Sequence, residues 1–437
     1  MLDSVRSPVP SSGSYADASP WAPGQRHWPM LAFVTFSLLV TMSLSQTQSF
    51  AWGSLQYWLV VVPAMVFPLL GLPDIVRTLF GRAKLLLILL LWAGGWHAAT
   101  GDARATVQLC AIVLALTWIS TDRAAINVRD LTRLYLFLLV VGLSVSAFSN
   151  FNRYGLIPGY SDPAYGLWRV SFFSNIAYTG ALSLVMLLVL THSKERARRH
   201  PVVLAIATYF FVLCFVRAAL IAGLVYLVLY FFFCRNSAMR PSRMFWIALA
   251  VAVGFNVAVV SSANILYALQ DNVFVSTFLL RGETNLSVND ILYQLYRPWL
   301  WKAHLQLLYS SPAWMGWGSP ESYQPMLDAS GPPLATIGSE SLPTRLLASY
   351  GIAGLLFTLY LIQQLRRLAF RGDRWACACF PAVFILMMNW GGIFHPTDGM
   401  FALLLLPITR GSNGFLDDQT GSVESLAGPA MPPKYAT

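Results

Sequence analysis

The chain has 437 residues, of which 56% are hydrophobic and only 11% are charged. With a mean hydropathy of +0.58, this composition excludes an ordinary soluble globular domain and indicates an all-α polytopic membrane protein. The formal net charge of +10 is explained by basic cytoplasmic loops and by attraction to anionic membrane lipids, so it does not indicate a nucleic-acid partner.

Twelve apolar segments, each about long enough to cross a bilayer, follow an N-terminal tail. The tail, residues 1–28, is rich in Ser, Pro and Gly and is predicted to be disordered and cytoplasmic. Nine spans are predicted within 29–262 and three within 343–409, and 410–437 form a second cytoplasmic tail. The predicted spans are 29–45, 55–72, 83–98, 105–120, 130–149, 173–192, 201–215, 218–234, 244–262, 343–362, 376–391 and 393–409.

Lys and Arg test this topology, because they accumulate in short cytoplasmic loops. With both termini in the cytoplasm, about 21 of the 29 basic residues fall on the inner side. Two longer segments fall on the outer side, 150–172 and 263–342. A loop of about 80 residues is more often functional than passive, and the helical spacing of apolar residues in VNDILYQLYRPWLWKAHLQLLYSSP predicts helices at the outer membrane surface.

Eight basic residues remain on the predicted outer side and need a separate explanation. The sharpest case is Arg217, which lies between two apolar segments and is predicted to occupy the outer turn between two short helices. It is either an anion-binding residue at a helix start or an arginine that reaches lipid head groups or pairs with a structural carboxylate. The other seven are Arg104, Arg153, Arg169, Arg281, Arg297, Lys302 and Arg345.

A single carboxylate, Glu340, follows the large loop just before the apolar segment that begins after Pro343. Arg281 and Arg297 lie earlier in this loop, and arginine suits bidentate recognition of phosphate oxygens. Together with Arg217 they predict an electropositive outer pocket. Glu340 beside this pocket is a candidate general base, although a carboxylate next to two serines is also common as a helix cap.

Weaker candidates for substrate binding are found in the same outer segments. His395 lies at the outer end of the last predicted hairpin, and His97 and His304 carry less weight. The remaining candidates are Arg153, Arg169 and Lys302. The five cysteines lie in or at the ends of apolar segments, so they are predicted to be core residues. No nucleotide, cofactor or metal motif is recognised, so neither a metal nor a cofactor is expected.

Three segments resemble the superfamily of O-antigen ligases and Wzy-type polysaccharide polymerases. RPWLWKAHLQLLYSSPAWMGWG (297–318) resembles a segment opened by an arginine and closed by a proline and two glycines, here Arg297, Pro312, Gly316 and Gly318. ESLPTRLLASYGIAG (340–354) resembles the segment after the large loop, with Leu347, Ala348 and Gly351 at matching spacings. FVRAAL (215–220) resembles the intramembrane arginine segment.

The resemblance implies a GT-C-like inverting glycosyltransferase at the outer face of a bacterial inner membrane. Its donor would be a glycan on undecaprenyl diphosphate, with no metal or nucleotide sugar. Carried over by position, Arg217 and Arg297 would bind the diphosphate, Arg281 would assist, and Glu340 would deprotonate the acceptor. Glu340 stands where the ligases usually carry a histidine, which is the main departure.

This departure favours a polymerase, of the exopolysaccharide kind that includes xanthan-type enzymes, over a ligase that transfers the glycan to lipid A core. A polymerase would work with a chain-length regulator and a flippase of the same pathway. A lipid-linked oligosaccharide flippase or other transporter is the alternative from another class, because it too would need arginines for the diphosphate. A transporter should carry charged residues deep in several spans, whereas here most lie at the outer boundary.

Overall fold

The computed structural model describes residues 28–43, 55–149, 160–162, 167–173, 176–236, 238–280, 285–288, 290–291, 297–330, 341–390 and 398–417. These residues are mostly helical, in agreement with the predicted all-α class. Their few strands form two short pairs. β1 (Ile126–Asn127) pairs in parallel with β4 (Phe415–Leu416), and β2 (Tyr160–Asp162) pairs antiparallel with β3 (Leu167–Arg169).

Each of the twelve predicted apolar segments overlaps one or more helices within the described residues. Those before the large loop are α1 (Trp28–Ser43), α2 (Leu55–Leu69), α3 (Leu72–Phe80), α4 (Lys84–Leu89), α5 (Gly95–Ala99), α6 (Ala103–Ile119), α7 (Val128–Ser149), α8 (Ile176–Thr191), α9 (Lys194–Arg199), α10 (Pro201–Leu213), α11 (Arg217–Arg235) and α12 (Pro241–Ala268). Helices α13 (Arg297–Ser310) and α14 (Pro320–Ser330) lie within the loop, and α15 (Leu342–Tyr350), α16 (Leu355–Phe370), α17 (Arg374–Trp390) and α18 (Gly399–Thr409) follow it.

Fewer segments are long and apolar enough to cross a membrane when judged by length and composition alone. Three pass within the described residues: Arg217–Arg235, Pro241–Val259 and Leu342–Phe370. A fourth is α2 with α3, which bend by 93° against each other. Pro68 near the end of α2 and Pro73 at the start of α3 explain this break, because proline ends one helix and suits the first turn of the next. The remaining apolar helices have 10–17 residues, so the count of twelve spans stays a prediction.

Helix α17 lies at the centre of the bundle. It packs against α11, α12, α16 and α18. Its side chains from Trp375 to Val383 are all buried, since every face of the helix meets another helix. The two ends of α17 therefore serve as reference points for the sites described below.

The end predicted to face the cytoplasm is tied together by polar contacts. The Arg196 side chain is 5% exposed and donates to the Asp417 carboxylate at 2.6 Å and to the Phe415 carbonyl at 2.8 Å. Arg82 and Arg410 both bond Asp122. These contacts fix the segment after α18 against the loop that follows α6 and against α9.

A buried carboxylate begins α18. Asp398 is 1% exposed and accepts hydrogen bonds from the Ser37 hydroxyl at 2.9 Å, from the Tyr178 hydroxyl and from the Met400 amide at 2.9 Å. The Gly399 amide in turn donates to the Ser37 hydroxyl at 2.7 Å. One side chain thus joins α1, α8 and α18.

We expect Asp398→Ala to lower the free energy of unfolding by about 3 kcal/mol, because it removes a helix cap and leaves the Ser37 and Tyr178 hydroxyls buried without this acceptor. The measurement is thermal unfolding of the purified protein in detergent, followed by tryptophan fluorescence. Asp271→Ala is the matched control, since Asp271 is exposed. Equal unfolding midpoints for the two variants would show that the Asp398 contacts add no stability.

Candidate functional site

Arg217 is the first residue of α11, at the turn that the sequence predicted between two short helices. The turn is tight, since Phe215 has a φ of 49°. Arg169 holds it: its Nε donates to the Cys214 carbonyl at 3.1 Å and its Nη2 to the Phe215 carbonyl at 3.3 Å. The Arg169 guanidinium, a predicted substrate-binding group, therefore also shapes the backbone that presents Arg217.

The large loop contributes a small core of its own. Helix α13 begins at Arg297, and its buried side chains pack with those of α14 and with Ala348 of α15. Lys302 lies on the exposed side of α13. The Trp301 indole donates to the Met388 carbonyl at 3.0 Å, which fixes α13 against the last turn of α17. The cluster comprises Leu300, Ala303, Leu307, Tyr323, Leu327 and Ala348, with Trp299 and Trp317 packed against it.

Two turns, residues 312–318 and 348–351, pack against each other and are called the paired turns below. The Trp317 amide donates to the Ala348 carbonyl and the Gly318 amide to the Ser349 carbonyl, both at 2.8 Å. The first turn belongs to the segment opened by Arg297 and the second to the segment that begins at Glu340. Two of the three segments that carry the resemblance in sequence therefore meet in space.

Glycine is required at these turns for two reasons. Gly351 has a φ of 61°, where glycine alone adopts the backbone easily. A Cβ at Gly351 would also lie 1.9 Å from the Trp314 carbonyl oxygen. In the opposite turn, Ala313 and Trp314 have φ values of 48° and 62°. The paired turns therefore contain strained non-glycine residues as well.

The start of α6 packs onto the paired turns. Asp102 caps α6 by accepting from the Ala105 amide at 3.0 Å, and its Oδ2 lies so close to Gly318 that a Cβ there would be 1.9 Å away. The Tyr350 hydroxyl donates to the Ala105 carbonyl at 3.2 Å. His97 is buried, and its Nδ1 lies 3.8 Å from Asp102 Oδ2, which is beyond hydrogen-bond distance.

His304 connects residues 297–318 to residues 341–354 through a buried contact. Its Nδ1 lies 2.9 Å from the Thr344 hydroxyl, and the ring is fully buried. Burial, together with the nearby Arg345 charge, lowers the pKa of His304 to about 3. A neutral, enclosed imidazole is suited to holding α13 on α15, and this indicates a structural role.

Arg217 lies at the same end of α17 as the paired turns. Tyr230 of α11 and Trp375 of α17 line one cavity near the opposite end, so the two helices run antiparallel. Arg217 lies about 13 residues from Tyr230 in α11, and Met388 lies about 13 residues from Trp375 in α17. Each separation is roughly 20 Å of helix. The arginine therefore lies near the level at which α17 contacts Trp301.

Other predicted residues lie outside the described ranges, namely Arg153, Arg281, Glu340 and His395. Their assignments stay predictions. The structure does describe Ser341, the residue after Glu340: it is fully buried, and its hydroxyl lies 3.9 Å from the Met388 sulfur. Arg297 is placed by its backbone at the first position of α13.

Arg345 is a residue to which the sequence analysis gave no role. It lies one turn after Ser341 in α15, is half-buried and faces the neighbourhood of His304. Among the described residues, no carboxylate forms an ion pair with it. Its position on the predicted outer side, five residues after Glu340, was the signal that could have identified it as a third cation near this end of α17.

A scan against models of protein families finds no model that matches this chain, and a search of curated proteins finds no match either.

We expect Gly351→Ala to destabilise the protein strongly, because it combines a positive φ with a backbone clash; the thermal unfolding midpoint in detergent measures the effect. Gly101→Ala is the control that separates the effect of the positive φ from that of the clash, since Gly101 has a φ of 81° but nothing within 4 Å of an added Cβ. The control should lose only about 1 kcal/mol. A Gly351 variant as stable as the control would mean that the paired turns separate without cost.

The lowered pKa of His304 predicts a pH dependence of stability. Because the unfolded chain takes up the proton at a higher pH than the folded protein, stability falls as the pH drops below about 6.5, by about 2 kcal/mol at pH 5 relative to neutral pH. Denaturant titrations of wild type and of His304→Gln across this range measure the difference, and the variant should lose this part of the slope. Thr344→Val is the control, since it removes the partner but keeps the titrating ring, and its slope should match wild type. A His304→Gln slope equal to that of wild type would contradict the assignment.

Proposed function

We propose that this chain is a bacterial inner-membrane polysaccharide polymerase, which joins undecaprenyl-diphosphate-linked oligosaccharide repeats at the periplasmic face by metal-independent inverting glycosyl transfer. One observation supports it best. Residues 297–318 and 341–354 meet in the paired turns, at the end of α17 where Arg217 also lies. A site of this kind is expected from the resemblance, and the contact between these two segments supports it.

The proposal includes twelve spans with both termini in the cytoplasm. It is supported by the overlap of each predicted apolar segment with a helix of the described residues. Short helices can serve as spans where neighbouring helices and loops shelter their ends. The burial of α17 and α18 within the bundle is consistent with such sheltering.

In the proposed reaction, the oxygen of the acceptor hydroxyl bonds to the anomeric carbon of the donor glycan from the face opposite the diphosphate. The bond between this carbon and the phosphate oxygen breaks, its electron pair leaves with the diphosphate, and the configuration inverts. Glu340 takes the proton of the hydroxyl. Arg217 and Arg297 stabilise the charge that develops on the departing diphosphate.

Arg345 adds a third cation to this proposal. It is half-buried and lies one helical turn from Ser341, so its charge is less screened than that of an exposed side chain. A diphosphate carries several negative oxygens, and arginines can bind them in pairs. We include Arg345 among the groups that bind the donor, with Arg281, Arg153, Lys302 and His395 as further contacts to the glycan or diphosphate.

The test uses purified protein in nanodiscs with a cognate undecaprenyl-diphosphate-linked repeat, and gels detect longer lipid-linked glycans. We expect Glu340→Gln to lower the elongation rate by about 10²-fold or more, as expected for loss of a general base. Arg217→Ala and Arg345→Ala should also lower it, because diphosphate stabilisation is lost. Asp271→Asn, an exposed carboxylate at the end of α12, is the matched control and should retain activity.

Three results would redirect the proposal. Elongation by folded Glu340→Gln at the wild-type rate would remove Glu340 from the site. Transfer to lipid A core without elongation would favour a ligase. Movement of labelled lipid-linked glycan across the bilayer without either reaction would favour a transporter.

A further inference from the structure

A cavity lies at the end of the bundle opposite the paired turns, the end predicted to face the cytoplasm. Its volume is about 430 Å³. Its walls come from the ends of α8 and α11, from the loop between α16 and α17, and from the turn after α18. The lining includes His192, Tyr230, Arg371, Asp373, Arg374 and Arg410.

The lining of this cavity is positively charged. Three arginines face it against one carboxylate, Asp373. Both oxygens of Asp373 already accept from backbone amides, of Ala376 at 2.9 Å and of Ser412 at 2.8 Å. The carboxylate therefore serves to cap α17 and to hold the turn after α18.

Some buried polar atoms of the lining residues make no hydrogen bond within the described part of the chain. They include Nδ1 of His192 and Nε of Arg410. The Arg410 side chain is only 11% exposed, and its terminal nitrogens bond Asp122. An unsatisfied buried polar atom carries a free-energy cost, and the residues that bear these two atoms both line the cavity.

We propose that this cavity binds the phosphate group of a phosphate monoester. Arginine presents a planar fork of donors that matches phosphate oxygens. Even with Arg410 paired to Asp122, the lining stays positive, because Arg371 and Arg374 outnumber Asp373. The same chemistry is offered by an anionic lipid head group of the inner leaflet and by a soluble phosphate. The binding does not depend on glycosyl transfer, so it goes beyond the function proposed above.

The test uses the full chain and two probes. In nanodiscs that contain phosphatidic acid in phosphatidylcholine, native mass spectrometry counts the phosphatidic acid molecules retained by the protein. In detergent, inorganic phosphate is titrated by thermophoresis. Saturable binding of either probe to wild type, weakened about tenfold or more in Arg371→Gln, is expected for loss of a charged, bidentate contact. Arg371 is exposed and belongs to no ion pair among the described residues, so its replacement should leave folding intact.

Arg366→Gln is the matched control, because Arg366 is an exposed arginine that lies over the Phe370 ring near the same end of α16 and does not line the cavity. Its binding should equal that of wild type. Binding of phosphatidic acid alone would identify a lipid ligand, and binding of inorganic phosphate would identify a soluble one. Equal weakening in the two variants would show general attraction to basic loops and would overturn the proposal, as would the absence of saturable binding of both probes.

Discussion

The burial of α17 on every side is the constraint on which the other features depend. A helix enclosed in this way has no polar face, so polar chemistry can be placed only at its ends. At one end the Met388 carbonyl accepts a hydrogen bond from the Trp301 indole, and the Met388 sulfur lies 3.9 Å from the Ser341 hydroxyl. At the other end Asp373 caps the helix and holds the segment that follows α18. Both proposed sites lie where other segments of the chain contact these two ends.

The paired turns show how backbone strain is supported by packing. Ala313 and Trp314 each occupy a left-handed conformation, which costs about 1–2 kcal/mol per residue. Backbone hydrogen bonds from Trp317 and Gly318 to the opposite turn help to stabilise the arrangement. Strain that is retained in this way is a reason to suspect function, and here it lies in the segments that resemble a glycosyltransferase superfamily.

The positions of the helices could be predicted from the sequence, because apolar segments and helix-breaking prolines are local signals. Arg217 at the start of α11 is an example, since a single helix from 201 to 234 would have buried its charge. The role of Arg169 could not be predicted, because its acceptors at Cys214 and Phe215 are set by the packing of β3 against the end of α10. The same holds for Asp102 beside Gly318 and for His304 against Thr344, which depend on contacts across more than one element. Glu340 remains a prediction from the sequence.

The short length of α17 explains why other segments of the chain pack against both of its ends. Its 17 residues span roughly 25 Å, less than the hydrocarbon thickness of about 30 Å in a typical bilayer. In the proposed topology α17 crosses the membrane, and backbone groups at such depth need protein partners, since lipid offers none. The paired turns with α13 and the turn after α18 supply them at opposite ends. A phosphate held near Trp375 and a diphosphate held near Met388 would lie roughly 20 Å apart along the helix. One phosphate group cannot satisfy both, so the two proposed sites require separate ligands and can be tested independently.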